Sequence, residues 1–164
     1  MSATATKIDA KAMLNGWLQG VTHMFMADIK AIPDEKWTAT FGGCTRPTHE
    51  LAADAIGLLF WVTEAIKAEG TPPMVEGATE KLNAACATKD GTIKMLQTGS
   101  EGLSAALMAA SEETLMKTAM APWQMESTLY GFAQIAASHI WYHDGQLNYI
   151  QCLLGDNDYH WTEH

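Results

Sequence analysis

Apolar residues return at helical intervals along most of the chain, and proline and glycine cut that periodicity into four long pieces. In the first, from about Ile8 to Ala31, Met13, Leu14, Trp17, Leu18, Val21, Met24 and Phe25 keep the i, i+3, i+4, i+7 spacing of one buried face. Pro33 ends this piece, because proline pushes the residue before it out of the helical region. Gly42, Gly43 and Pro47 mark a loop, and Pro47 suits the first turn of a second helix, where its missing N–H costs nothing. That helix extends to about Ala68, short of Gly70 and the Pro72-Pro73 pair. Its middle, LAADAIGLLFWV, is apolar nearly all round, which predicts burial on most sides. A third helix is expected from about Lys89 to Ala110, opened by Thr88 or Asp90 as a cap. A fourth is expected from about Met125 to Leu154, with Gly155 as its C-terminal stop.

Between these pieces, MVEGATEKLNAACA suits a short helix, and SEETLMKTAMAPW reads as a connection with some helical turn. No long stretch alternates apolar and polar residues with β-branched enrichment, so strands are not expected. The pattern therefore predicts an all-α four-helix bundle. The connection between helices two and three is about 20 residues, long enough for a crossover that lets those helices run parallel.

A chain of 164 residues suits a single domain spanning residues 1–164, and 48% hydrophobic with 18% charged residues is a globular balance. The formal net charge of −9, with Lys and Arg scattered, argues against nucleic acid and against anionic membrane surfaces. No apolar run approaches the roughly 20 residues that span a bilayer. MSATATKIDAK lacks the apolar core of a signal peptide, so a cytoplasmic location is expected. Cys44, Cys86 and Cys152 are odd in number and far apart, which predicts reduced, buried thiols. The methionine stripes read as core filling.

The chemistry concentrates in SHIWYHDGQLNY. His139 and His143 are four residues apart, so on a helix both imidazoles point the same way, and Gln146 shares their face. Such a pair serves either as two metal ligands or as hydrogen-bonded polar residues. A catalytic zinc site ordinarily takes three protein ligands and keeps one position open, so a third donor must come from another helix. Asp54 lies inside the apolar run of the second helix, where a carboxylate is costly unless it is paired or metal-bound. His49 is its rival, five residues earlier, but a rotation of about 140° separates the two on one helix. The metalloprotease pattern H-E-x-x-H fails at Ala53, and no histidine has a Glu three residues before it, so a mononuclear site fits better than a dinuclear one. No G-x-S-x-G elbow and no phosphate loop occurs. His23 and His160 read as structural, with His160 placed to fold back beside Trp161.

HIWYHDGQLNYIQCLLGD resembles the last helix of the DinB/YfiT-like superfamily, which commonly shows a histidine, three residues, a second histidine and a Gly-Gln pair. Here these are His139, His143, Gly145 and Gln146. AIPDEKWTATFGGCTRPTHELAADAIGLL resembles the segment that opens the superfamily's second helix. The resemblance implies an up-down-down-up bundle and a divalent metal, zinc or nickel, held by two histidines of helix four and one of helix two. It also implies homodimers, a small-molecule substrate and, in members with known activity, transfer or isomerisation with a low-molecular-weight thiol. At the helix-two position this chain has Asp54, counted from the Glu50-Leu51 start, and aspartate also binds zinc. The expectation is a thiol-dependent transferase or isomerase with a His139, His143, Asp54 metal site, and Gln146 either orienting a ligand or serving helix packing. The alternative is a non-enzymatic bundle, small-molecule-binding or a dimeric structural module, in which hydrogen bonds hold the same cluster.

Overall fold

A computed structural model describes residues 8–162. Among them the order is α1 (Ala10–Ala31), α2 (Thr48–Ala68), α3 (Ala78–Ala85), α4 (Lys89–Ala109), α5 (Glu112–Met116), a hairpin of β1 (Thr118–Met120) and β2 (Glu126–Thr128), and α6 (Leu129–Leu153). Single 3-10 turns lie at Asp34–Lys36 and His160–Thr162.

Local chemistry sets the helix ends. Asp9, Thr88 and Thr128 each accept a backbone N–H from the first turn of the helix they precede. α6 stops at Gly155, whose φ of 89° few other residues adopt, and the N–H groups of Gly155 and Asp156 close back on the carbonyls of Cys152 and Gln151.

Side-chain contacts give each helix its direction. The Lys11 ammonium caps the carbonyls of Met108 and Ala110, and Lys89 caps those of Lys30 and Ile32, so α1 and α4 are antiparallel. Tyr130 donates to the Ala10 carbonyl and Gln151 to that of Asp28, so α6 runs with α1. A Cβ on Gly99 would stand 3.2 Å from Leu59, and Thr63 lies beside Gly102, so α2 and α4 run together. Trp61 meets Phe132 near the start of α6, whereas Asp54 meets His143 further along, so α2 and α6 are antiparallel. The topology is up-down-down-up, with the crossover between α2 and α4 as expected. α1 and α2 both pack against α4 and α6.

The core is built from Leu18, Phe25, Ile29, Leu59, Leu96, Leu103 and Phe132, all essentially inaccessible, each contributing about 1.5–3 kcal/mol by burial. The stripe on α1 is Leu14, Leu18, Val21, Phe25 and Ile29, and it takes in Asp28. Met13 and Trp17, expected inside, sit at its edge and are exposed. Met74, Met108, Met116, Met120 and Met125 are exposed too, so methionine does not fill the core in the way its abundance suggests. Of the three free cysteines Cys86 is buried, while Cys44 and Cys152 are exposed, contrary to expectation. Among the described residues no helix is long and apolar enough to cross a membrane.

The all-α bundle stands, but the connection before α6 holds a short hairpin where no strand was expected. Thr118, Ala119 and Met120 pair antiparallel with Thr128, Ser127 and Glu126, and α6 starts at Leu129 rather than Met125. Long-range contacts hold this short ladder: the Met120 N–H donates to Thr71, and the Trp123 ring at the turn packs on Trp61 and Phe132. The α1–α2 loop is pinned in a similar way. Buried Trp37 donates to the Cys86 carbonyl, and the N–H groups of Thr48 and His49 close on Ala39 and Trp37. That closure fixes where Arg46 and the start of α2 lie.

Candidate metal centre

Four residues is just over one helical turn, so α6 presents His139 and His143 side by side toward α2. Their Nε2 atoms are 3.0 Å apart. Asp54 on α2 completes the group, its Oδ2 standing 3.3 Å from His143 Nε2 and 4.0 Å from His139 Nε2. Among the described residues these three form the group of donors close enough together to hold one ion. His49 lies outside it: half-buried, its N–H is bonded to the Trp37 carbonyl and its Nδ1 is buried without a partner.

The donor set fits a divalent ion such as zinc. In a tetrahedral site with bonds of about 2.0–2.1 Å, neighbouring donors stand about 3.3–3.4 Å apart, and the three separations bracket that value. The tautomers suit as well. His143 is fully buried, with Nδ1 2.7 Å from Gln146 Oε1: a proton on Nδ1, donated to that oxygen, would free the Nε2 lone pair for an ion, whereas without an ion a proton on Nε2 serves the hydrogen bond with Asp54. Gln146 in turn donates to the Tyr142 hydroxyl at 3.1 Å. Both polar ends of Gln146 are thus used within α6, in orienting His143. Burial, then the neighbouring His143, pushes the His139 pKa down, which favours the neutral, ligating ring.

Asp54 is less buried than its apolar neighbours suggest, its side chain 44% exposed. It lies at the rim because α2 is open to solvent there. Its carboxyl is held below the usual carboxylate range, first by the hydrogen bond with His143 and then by the hydrogen bond and charge of Arg46, against the opposing effect of burial. Arg46 Nη2 approaches Asp54 Oδ2 at 2.9 Å. The sequence reading did not pick out Arg46, since it precedes α2 and only the loop closure brings it back over Asp54. Arg46, Asp54 and His139 line a cavity of about 950 Å³ whose apolar wall includes Phe60, Trp61, Leu82, Trp123 and Ile135. That volume is in the range of small-molecule sites.

A second polar cluster was also missed. Asp28, buried on α1, accepts from Asn148, from Gln151 at 3.3 Å and from Trp161 Nε1 at 3.0 Å. Three residues beyond Phe25, its place on the α1 stripe is legible from periodicity. Trp161 also offers its carbonyl to His23, and His160 pairs with Asp156 at 2.8 Å, so the segment after α6 does fold back.

No protein-family profile matches this sequence, and no curated protein matches it. Solved structures do. YfiT from Bacillus subtilis superposes with a TM-score of 0.74 at 13% identity over 95% of this chain and 94% of its own. A DinB-like protein, YjoA, from Bacillus subtilis gives 0.67 at 14% identity over 90% of this chain and 94% of its own. The chain has the DinB/YfiT-like fold. YfiT is described as a probable metal-dependent hydrolase with an unusual four-helix bundle topology. A mycothiol-dependent maleylpyruvate isomerase with the same fold gives 0.71 at 11% identity over 85% of this chain, which spans 61% of the isomerase's length.

Proposed function

We propose that this DinB/YfiT-like chain, acting as a single domain, binds one divalent metal ion through His139, His143 and Asp54. We further propose that it catalyses a thiol-assisted transfer or isomerisation on a small molecule held in the adjoining cavity. The observation that carries this reading is the convergence of three donor atoms from two helices at the edge of a cavity with an apolar wall. A mycothiol-dependent neighbour of the same fold supports the thiol, and a metal-dependent neighbour supports the ion. Each residue has a separable task. His143 is locked by Gln146 with Nε2 presented, His139 ligates from the cavity wall as a neutral ring, and Asp54 brings the negative charge that offsets the ion. A bound divalent ion would lower the pKa of a thiol or water and so supply a nucleophile at neutral pH. Trp61, Trp123 and Phe60 exclude water from the apolar side.

Elemental analysis of protein purified without chelator tests the metal, with about one zinc or nickel per chain expected for a three-donor site. A screen of low-molecular-weight thiols with small electrophiles then tests the reaction. Ester hydrolysis without thiol dependence would assign a hydrolase instead. Metal-free protein would favour the non-enzymatic bundle, a reading that the Arg46–Asp54 ion pair supports because it satisfies Asp54 without any ion.

A further inference from the structure

Asp54 Oδ2 is claimed twice. It is the oxygen nearest both histidines, and it is also the oxygen that accepts from Arg46. A dication among the three donors would compete with Arg46 for the same lone pairs, and a guanidinium cannot lose its proton to relieve the repulsion. Displaced from Asp54, Arg46 remains on the wall of the cavity, where it is the one Lys or Arg among the lining residues. Of the other carboxylates there, Glu64 is already paired with Lys67 at 2.8 Å, which leaves Glu50. A planar, bidentate donor beside an aromatic wall matches a carboxylate attached to an apolar body.

We infer that Arg46 is the anion receptor of this cavity, masked by Asp54 until that carboxylate is otherwise engaged, and that the ligand is a small carboxylic acid with an aromatic-sized apolar body. The masking step rests on the proposed metal site, while the receptor itself does not. Binding of the ion and of the acid are then linked, because both draw Arg46 and Asp54 apart.

The test uses a matched pair of probes, 1-naphthylacetate and 1-naphthylacetamide, which have nearly the same shape and differ in charge. Titrations are followed by isothermal calorimetry. Chelator-treated wild-type protein should prefer the acid by less than about twofold, since Arg46 is engaged. Chelator-treated Asp54→Ala, in which Arg46 is unmasked without any metal, should prefer the acid by about tenfold or more, the worth of one charge-assisted hydrogen bond. The double variant Asp54→Ala/Arg46→Ala should lose that preference. No acid preference in Asp54→Ala, as when Arg46 turns to Glu50, overturns the inference, and so does a preference that survives removal of Arg46. Zinc titrations supply a separate readout. Arg46→Ala should bind zinc about threefold more tightly because a competitor is gone, and weaker binding would make Arg46 a support of the ligand and overturn the masking. Wild-type protein without zinc affinity sinks the metal proposal and with it the masking by metal, whereas the Asp54→Ala comparison still decides the receptor.

Discussion

Helix α6 carries a polar cluster on each flank, and the two flanks treat a carboxylic acid in opposite ways. Toward α2, Asp54 is half-exposed and faces two imidazoles and a guanidinium, of which His143 and then Arg46 keep it ionised. Toward α1, Asp144 is 2% exposed and faces another carboxyl, Asp28. Burial first, then the hydrogen bond and the like charge of Asp28, push the Asp144 pKa up to about 8. Two aspartates on packed helices of one bundle thus differ because one meets a guanidinium, imidazoles and water and the other meets a second acid and apolar packing. The first arrangement leaves donors available at a cavity; the second gathers Asn148, Gln151 and Trp161 on Asp28 and leaves Asp144 Oδ1 buried without a partner.

The largest way to break this contrast is Asp28→Ala. It removes the acceptor of Asn148, Gln151 and Trp161 at once. Only Gln151 of these donors is fully buried, and Gln151 and Asn148 each keep a backbone carbonyl, so a total loss of about 2–3 kcal/mol is expected. The measurement is the urea midpoint at unchanged slope. A loss below about 1 kcal/mol would mean that the α1 flank is as solvated as the α2 flank.

His143→Ala strikes the other flank. It removes one of three donors, so zinc affinity by chelator competition should fall by at least about a hundredfold, beyond the 10–100-fold typical of an outer-shell change. Unchanged affinity would place the ion elsewhere.

The pH dependence of stability sharpens the comparison next. The Asp144 pKa is raised on folding, so its contribution is fully present below the unfolded value of 3.8 and is lost as pH rises through about 8. Asp54, lowered on folding, behaves oppositely: its contribution is present above the ordinary carboxylate range and is lost as pH falls below it. In chelator-treated protein, wild type should lose about 2 kcal/mol relative to Asp144→Asn between pH 4 and 8, after discounting for partial solvation. Parallel stability curves for the two proteins would show that Asp144 ionises freely in the fold.

The smallest effect is expected from Asp54→Ala on the stability of chelator-treated protein. A half-exposed ion pair is worth about 0–1 kcal/mol, so the urea midpoint should barely move, while zinc affinity drops. His49→Ala should leave zinc affinity unchanged. If His49→Ala removes the ion and Asp54→Ala does not, the ligand assignment is reversed.

Much of this architecture was written along the chain. The four main helices and their stops follow from local rules, because a helix buries a stripe whose spacing is visible in one dimension and because Pro33, Thr88 and Gly155 act on their own neighbours. His139 and His143 were legible for the same reason, since four residues on a helix fix their mutual placement whatever surrounds them. Asp54 was legible only as an anomaly in an apolar run, which suggests a partner without naming it. Its partner Arg46, the hairpin before α6 and the Asp28 cluster depend on contacts between segments far apart in the chain. Trp37 docking under Cys86 returns Arg46 to α2, Trp123 packing on Trp61 steadies β1 and β2, and the fold-back after α6 delivers Trp161 to Asp28. The sequence by itself determined which faces are apolar and which donors share a turn. Only the tertiary structure decided which charges meet across helices, and therefore which carboxylate is ionised at a cavity and which is buried against its like, because burial and charge pairing are properties of the packed surroundings rather than of the residue.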